Sequence, residues 1–184
     1  AILVGARTVR ADNPRLTVRS ARRRNARLAA GRPDTPVKVL ITGSGPVDPG
    51  ARFFTTGETD KLVYTTTERQ RALARTLRGV ATVVGTGDSV NLGVLLEDLS
   101  ERGIGELLVE GGSTIHTQFL TAGLVEELHV VFAPFFLGEV AAPRLVGPGT
   151  FPQNPRHPMT LVQTRQLGDC VLLRYLPEGG RRKE

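Results

Sequence analysis

The feature that most constrains this chain is alternation: short, β-branched apolar runs recur along it, and most are followed by a segment with helical spacing. Residues 1–4 (AILV), 37–42 (VKVLIT), 61–66 (KLVYTT), 81–84 (ATVV), 107–109 (LLV) and 128–132 (LHVVF) read as strands. Thr67 offers a helix N-cap with Glu68 in the first turn, Leu73 and Leu77 share a face, and Gly79 closes the segment. From Asn91, the residues Leu92, Leu95, Leu96 and Leu99 repeat at helical spacing up to Gly103. Gly111-Gly112-Ser113 opens a third helix that reaches Ala122 and stops at Gly123. Such alternation predicts an α/β domain of three layers, a mostly parallel sheet with helices on both faces.

The C-terminal part reads differently. Residues 138–158 are rich in proline and glycine and predict a long loop. Residues 160–167 and 170–176 flank Gly168-Asp169, a two-residue turn, and predict an antiparallel C-terminal hairpin at the edge of the sheet. One domain over residues 1–177 is expected, followed by a charged, disordered tail at 178–184. The opening AILV reads as mid-strand with no preceding turn, so further residues are expected upstream.

The formal net charge of +6 favours anionic partners: nucleic acid, an anionic membrane surface, or phosphorylated small molecules. Arg15, Arg19, Arg22, Arg23, Arg24, Arg27 and Arg32 crowd one segment, which reads as a solvated connection or as a phosphate- or nucleic-acid-binding stretch. With no tryptophan and two tyrosines, platforms for base stacking are scarce, which argues against nucleic acid. No apolar run approaches the roughly 18 residues of a membrane span. Cys170 is the only cysteine, so no internal disulfide forms, and a cytoplasmic protein is the simplest expectation.

The strongest chemical signal is Leu107-Leu108-Val109-Glu110-Gly111-Gly112-Ser113-Thr114-Ile115-His116, a diglycine between a strand and a helix start. Glycine lets a ligand approach the backbone, and the amides of Gly112, Ser113 and Thr114 at a helix N-terminus suit a dinucleotide pyrophosphate. A tight turn that needs glycine for packing explains the same residues. Glu110 would repel a phosphate and reads as facing a hydrogen-bonding substrate or organising the loop. Gly43-Ser44-Gly45 and Gly85-Thr86-Gly87 also follow strands, but neither completes G-x-G-x-x-G, because Asp48 and Val90 stand where the third glycine belongs. Ser44 remains able to donate to a phosphate or ribose. The hydroxyls after Tyr64 (Thr65, Thr66 and Thr67) suit a 2′-phosphate or a helix cap. Asp12-Asn13-Pro14 is a turn signal. His116, His129 and His157 lack metal-ligand spacing and read as structural or surface residues, and no G-x-S-x-G supports a serine hydrolase.

Two distant segments together resemble one family. Residues 1–19 carry AILVG followed by TV-x-AD-x-PRLTVR, and residues 107–138 carry LLVEGGSTIHTQFLTAGLVEELHVVFAPFFLG. Both are similar to the reductase domain of riboflavin biosynthesis. The resemblance implies a dihydrofolate-reductase-like fold, NADPH as cofactor, and a homodimer. It implies reduction of the ribose of a 5-phosphoribosylamino-pyrimidine to a ribityl chain. Carried over by position, Thr8, Asp12, Ser44 and Gly111, Gly112, Ser113, Thr114, Ile115, His116, Thr117 and Gln118 would contact cofactor. Leu16, Arg19 and Glu110 would contact substrate, with Asp12 and Glu110 as catalytic candidates. No metal is implied. The family's first strand and helix have no counterpart and would lie upstream of Ala1. Stand-alone relatives share the polar His116 and Gln118, which keeps open a second substrate, dihydrofolate or another pterin-like compound. A non-catalytic basic nucleotide- or RNA-binding module is the remaining alternative.

Overall fold

The structure, a computed structural model, describes residues 1–178. The tail expected to be disordered lies outside the described residues except for Glu178, whose carboxylate meets His157 Nδ1 at 3.2 Å. Two compact units are present, Ala1–Ile115 and a second that begins at His116.

The first unit holds β1 (Ile2–Gly5), β2 (Lys38–Ile41), β3 (Lys61–Thr65), β4 (Thr82–Gly85) and β5 (Leu108–Gly111). All pair in parallel, in the order β4-β3-β2-β1-β5. Every residue of β2 is buried, as expected of a strand covered on both faces. Alternation along the strands divides the core. Val4, Leu40, Val63 and Val83 join Phe53 and Phe54, whose rings meet edge-on at 4.8 Å, and Leu73 and Leu77. Leu62 and Tyr64 point to the opposite face, where the Tyr64 hydroxyl donates to Asp98 at 2.6 Å. Burying a leucine or phenylalanine side chain contributes about 1.5–3 kcal/mol, so these layers dominate the stability of the unit.

The helices are α1 (Ala6–Asp12), α2 (Ala21–Ala29), α3 (Arg52–Thr55), α4 (Thr67–Thr76), α5 (Leu92–Glu101) and α6 (Ser113–Thr121). The predicted start of α5 holds: the Asn91 side chain accepts from the amides of Gly93 and Val94, and Leu95 and Leu99 are buried. Thr66 rather than Thr67 is the N-cap of α4, and Leu73 and Leu77 face the core as their spacing predicts. Three helices were not legible. α1 buries only Ala6 and Val9 before Asn13 closes it in the left-handed region (φ 43), which fulfils the Asp12-Asn13-Pro14 turn signal. The arginine-rich stretch forms α2, which has no buried residue and so no apolar period to read. Four-residue α3 is shorter than any periodicity, although it delivers Phe53 and Phe54.

The second unit holds β6 (Leu128–Phe132), β7 (Thr160–Leu167) and β8 (Cys170–Leu176), antiparallel in the order β6-β8-β7. Leu167 pairs with Cys170 across Gly168 (φ 62) and Asp169, the predicted hairpin. It differs from expectation in pairing with β6 in a sheet of its own, where Arg174 donates to Glu127 at 2.7 Å, instead of extending the parallel sheet. Residues 138–158 form a loop whose one bridge joins Asn154 and His157. No described helix is long and apolar enough to cross a membrane.

Candidate functional site

Strand order locates the site. The connections from β1 through β2 and β3 to β4 step one way across the sheet, and β5 returns to the other side of β1. Loops therefore diverge at the carboxyl ends of β1 and β5, and a crevice at such a switch is where open parallel sheets admit ligands. Both strands end there in glycine. A Cβ on Gly5 would fall 2.8 Å from Ile115 Cγ1, too close for any side chain. Gly111 (φ 102) and Gly112 (φ 54) adopt conformations that favour glycine, and they turn the chain into α6. The Thr8 hydroxyl donates to the Gly111 carbonyl at 3.3 Å, tying the first turns of the two loops together. The Ile115 amide donates to the Gly112 carbonyl at 2.9 Å, so α6 starts directly on the diglycine turn.

Glu110 gains its position from an irregularity. Leu3 pairs with Val109 but Val4 with Gly111, so Glu110 is the extra, unpaired residue of β5 and is exposed. A bulge of this kind re-aims a side chain.

The other predicted residues follow α1. Thr8 is half-buried, and Asp12 is exposed at the last helical position. Leu16 packs against the core in the left-handed region (φ 49), a conformation that costs a leucine about 1–2 kcal/mol and persists only where the surroundings fix it. Arg19 is exposed, and its carbonyl and that of Val18 accept from Arg24 Nη1 at 2.8 and 2.9 Å. Ser44 is exposed after β2, and the Thr42 hydroxyl donates to its carbonyl at 3.1 Å.

Within the second unit, His116 Nδ1 lies 3.2 Å from the Leu145 carbonyl, and the Thr117 hydroxyl accepts from the Gly147 amide at 2.7 Å. Gln118 is exposed. Thus Thr8, Glu110, Gly111 and Gly112 gather at the switch, Asp12, Leu16 and Arg19 line the exit of α1, and Ser44 stands one strand away. Of the threonines after Tyr64, the Thr66 side chain makes no cap bond, the Thr67 hydroxyl accepts from the Gly87 amide at 3.1 Å, and the Thr65 hydroxyl is buried without a partner among the described residues.

Two arginines at these strand ends escaped the sequence reading. Arg10 Nη1 donates to the Pro46 carbonyl at 3.2 Å, and Arg69 Nη2 donates to the Gly45 carbonyl at 2.7 Å. The available signal was position: each sits within the first turns after a strand. It is weak because α1 is too short to show a period and neither arginine stands in a local motif. Arg10 also borders a cavity of about 200 Å³ with Ala6, Val9, Asn13, Val47 and Asp48.

The RibD C-terminal domain family matches residues 1–173, across both units. The riboflavin biosynthesis protein RibD of Bacillus amyloliquefaciens is 31% identical over 98% of this chain and 47% of that protein. The 2,5-diamino-6-ribosylamino-4(3H)-pyrimidinone 5′-phosphate reductase of Methanothermobacter thermautotrophicus is 32% identical over 97% of this chain and 80% of its own length. The chain spans about half of the length of the RibD relative and 63% of the reductase of the same name from Archaeoglobus fulgidus. Among solved structures, a pyrimidine reductase-like protein from Corynebacterium diphtheriae superposes with a TM-score of 0.78 at 25% identity, over 96% of this chain and 75% of that one. RibD from Acinetobacter baumannii gives 0.74 at 25% identity, over 96% of this chain and 46% of that one.

Proposed function

The chain belongs to the RibD C-terminal domain family, and from that membership we propose that it is an NADPH-dependent reductase of riboflavin biosynthesis. Its substrate in this reading is a ribosylaminopyrimidine 5′-phosphate, whose ribose is reduced to a ribityl chain. The observation that carries the reading is the diglycine turn that leads from β5 into α6 at the β1–β5 switch. A side chain on Gly112 would begin 3.0 Å from the Thr8 hydroxyl oxygen at a φ of 54, so glycine keeps the backbone of this turn bare. Bare backbone beside a helix start fits the pyrophosphate of a dinucleotide.

A bound reduced nicotinamide would supply hydride to C1′ of the open, imine form of the ribose. The chain's own residues bind and align. Gly111, Gly112 and the first turn of α6 (Ser113, Thr114 and Ile115) hold the pyrophosphate, with His116, Thr117 and Gln118 following on the same helix. Thr8, Asp12 and Ser44 contact the rest of the cofactor. Glu110, re-aimed by the bulge, accepts hydrogen bonds from substrate, and Leu16 lines it. Arg19 pairs with the substrate phosphate, where a guanidinium fork matches two phosphate oxygens. A homodimer is part of this proposal.

Steady-state assays with the pyrimidine phosphate and with dihydrofolate, each with NADPH, test the reading. Turnover of the pyrimidine is the expected result, and turnover of dihydrofolate alone would replace it with the pterin reading.

A further inference from the structure

We propose that α2 is a docking surface for the phosphate backbone of a double-stranded nucleic acid. The inference stands apart from the reductase reading, because Arg22 and Arg23, which carry it, have no part in that reading.

The core does not explain α2 (Ala21–Ala29, ARRRNARLA), for none of its residues is buried. A helix of this length without an apolar face is marginal by itself. Its charges oppose it further: Arg23 with Arg27, and Arg24 with Arg27, are like-charge pairs one turn apart. Local hydrogen bonds hold it instead. The Ser20 side chain accepts from the Arg23 amide at the N-terminus. Arg24 Nη1 reaches back to the carbonyls of Val18 and Arg19, and Arg27 Nε reaches forward to that of Pro33 at 2.8 Å. Two guanidiniums are thus spent on fixing the helix to the chain on either side of it. Arg22 and Arg23 are left exposed, and no hydrogen bond or ion pair among the described residues occupies their guanidiniums.

The surroundings are of one sign. No carboxylate stands between Asp12 and Asp34 in the sequence, and Arg15 and Arg32, before and after the helix, are exposed as well. The far end of α2 also points away from the β1–β5 switch. Desolvation first, and then the charge of Arg27, lower the pKa of the Ala1 amino group, which puts that guanidinium toward the amino end of β1. The switch lies at the carboxyl end of the same strand.

The chemistry selects the partner. A membrane surface is held by an apolar face as well as by charge, and Leu28 is the only large apolar side chain of α2. A protein interface centres on apolar and aromatic anchors, and residues 13–33 contain no aromatic side chain. A nucleic acid can be held through its backbone by charge alone, and guanidinium forks match phosphate oxygens in pairs. The scarcity of aromatic residues weighs against a single strand, whose bases need stacking platforms, and leaves a duplex, whose phosphates face outward.

Fluorescence anisotropy of a labelled DNA duplex of arbitrary sequence, titrated with the full chain at several salt concentrations, reads the contact. Affinity is expected to fall linearly with salt on logarithmic axes and to be indifferent to base sequence. Arg22→Gln and Arg23→Gln together should weaken binding about tenfold or more and reduce the salt slope by about 2, one unit for each lost phosphate contact. The same variant should keep its melting transition and its affinity for NADPH. Absence of duplex binding at low salt, or duplex binding that the folded variant leaves unchanged, overturns the proposal. So does a parallel loss of NADPH affinity, which would move these arginines into the cofactor site. Tighter binding of poly-glutamate or of phosphatidylserine vesicles than of the duplex also overturns it, in favour of an acidic protein or a membrane.

Discussion

A Cβ on Gly112 would stand 3.0 Å from the Thr8 hydroxyl oxygen, so the helix after β1 and the turn after β5 share one surface. Thr8 already donates to the preceding carbonyl, that of Gly111, and has little freedom to retreat. Gly112→Val combines this contact with a left-handed backbone (φ 54) that a β-branched residue resists. The variant is expected to weaken NADPH binding by about tenfold or more, which corresponds to about 1.4 kcal/mol. Fluorescence titration of folded protein checks it, and unchanged affinity would remove the diglycine from the cofactor site. Thr8→Ala, which takes away the contacting hydroxyl, should soften the effect of Gly112→Ala.

Arg19→Ala is expected to raise the KM of the pyrimidine phosphate more than that of NADPH. The exposed Arg19 depends on Arg24, whose Nη1 holds the carbonyls of Val18 and Arg19. Arg24→Gln should therefore shift the same constant in the same direction but less, because it frees the loop and leaves the charge in place. If only the NADPH constant moves, Arg19 faces the cofactor.

Lys38 lies fully inside the sheet, with Nζ donating to the carbonyls of Phe53 and Thr56 at the end of α3 and standing 5.9 Å from the Phe53 ring centre. Burial, and then the charge of Lys61, lowers its pKa from 10.5 to about 8. Below pH 8 the ammonium is charged in both folded and unfolded chains, and the fold bears its desolvation in full. Between about pH 8 and 10.5 the folded chain releases the proton that the unfolded chain still binds, so this residue's contribution to stability rises with pH. Tyr64 acts in the opposite sense above pH 10, because burial and Asp98 raise its pKa. Denaturant titrations from pH 7.5 to 10 should show the wild-type chain gaining stability relative to Lys38→Met as pH rises; parallel curves would mean that Lys38 titrates normally.

Legibility followed the length of the signal. Leu92, Leu95, Leu96 and Leu99 repeat long enough to announce α5 from Asn91 onward, whereas the cap bonds of the Asn91 side chain emerge only in the structure. Gly168-Asp169 fixed the hairpin because a two-residue turn has few solutions. The diglycine after β5 was visible, but the partner that gives it meaning, Thr8, meets it only through the parallel pairing of β1 with β5. The bulge that isolates Glu110 is likewise a property of register. VKVLIT read as an apolar strand with Lys38 inside it, and nothing local says that its ammonium ends on the carbonyls of α3. Arg10 and Arg69 carry no local signal for the same reason: the turn whose carbonyls accept from both follows a third strand.

Tyr64 and Asp98 give the last prediction. The tyrosine is wholly buried on β3, and its hydroxyl donates at 2.6 Å to a carboxylate on α5 that also receives Arg102 through two nitrogens, at 2.8 and 3.1 Å. Arg102 first, and the Tyr64 hydroxyl after it, hold the Asp98 pKa below its ordinary value against the opposing effect of partial burial. A carboxylate whose folded pKa is depressed contributes stability that is present above its unfolded pKa and is lost as pH falls through the folded one. Tyr64→Phe keeps the ring packing and removes the hydroxyl, so it should cost about 1–2 kcal/mol at neutral pH. Asp98→Asn should flatten the acid limb of the stability curve, and in the Asp98→Asn background Tyr64→Phe should cost less than in the wild type. Additive losses in this double-mutant cycle, measured by denaturant titration at pH 7, would show that the strand and the helix are held by packing alone.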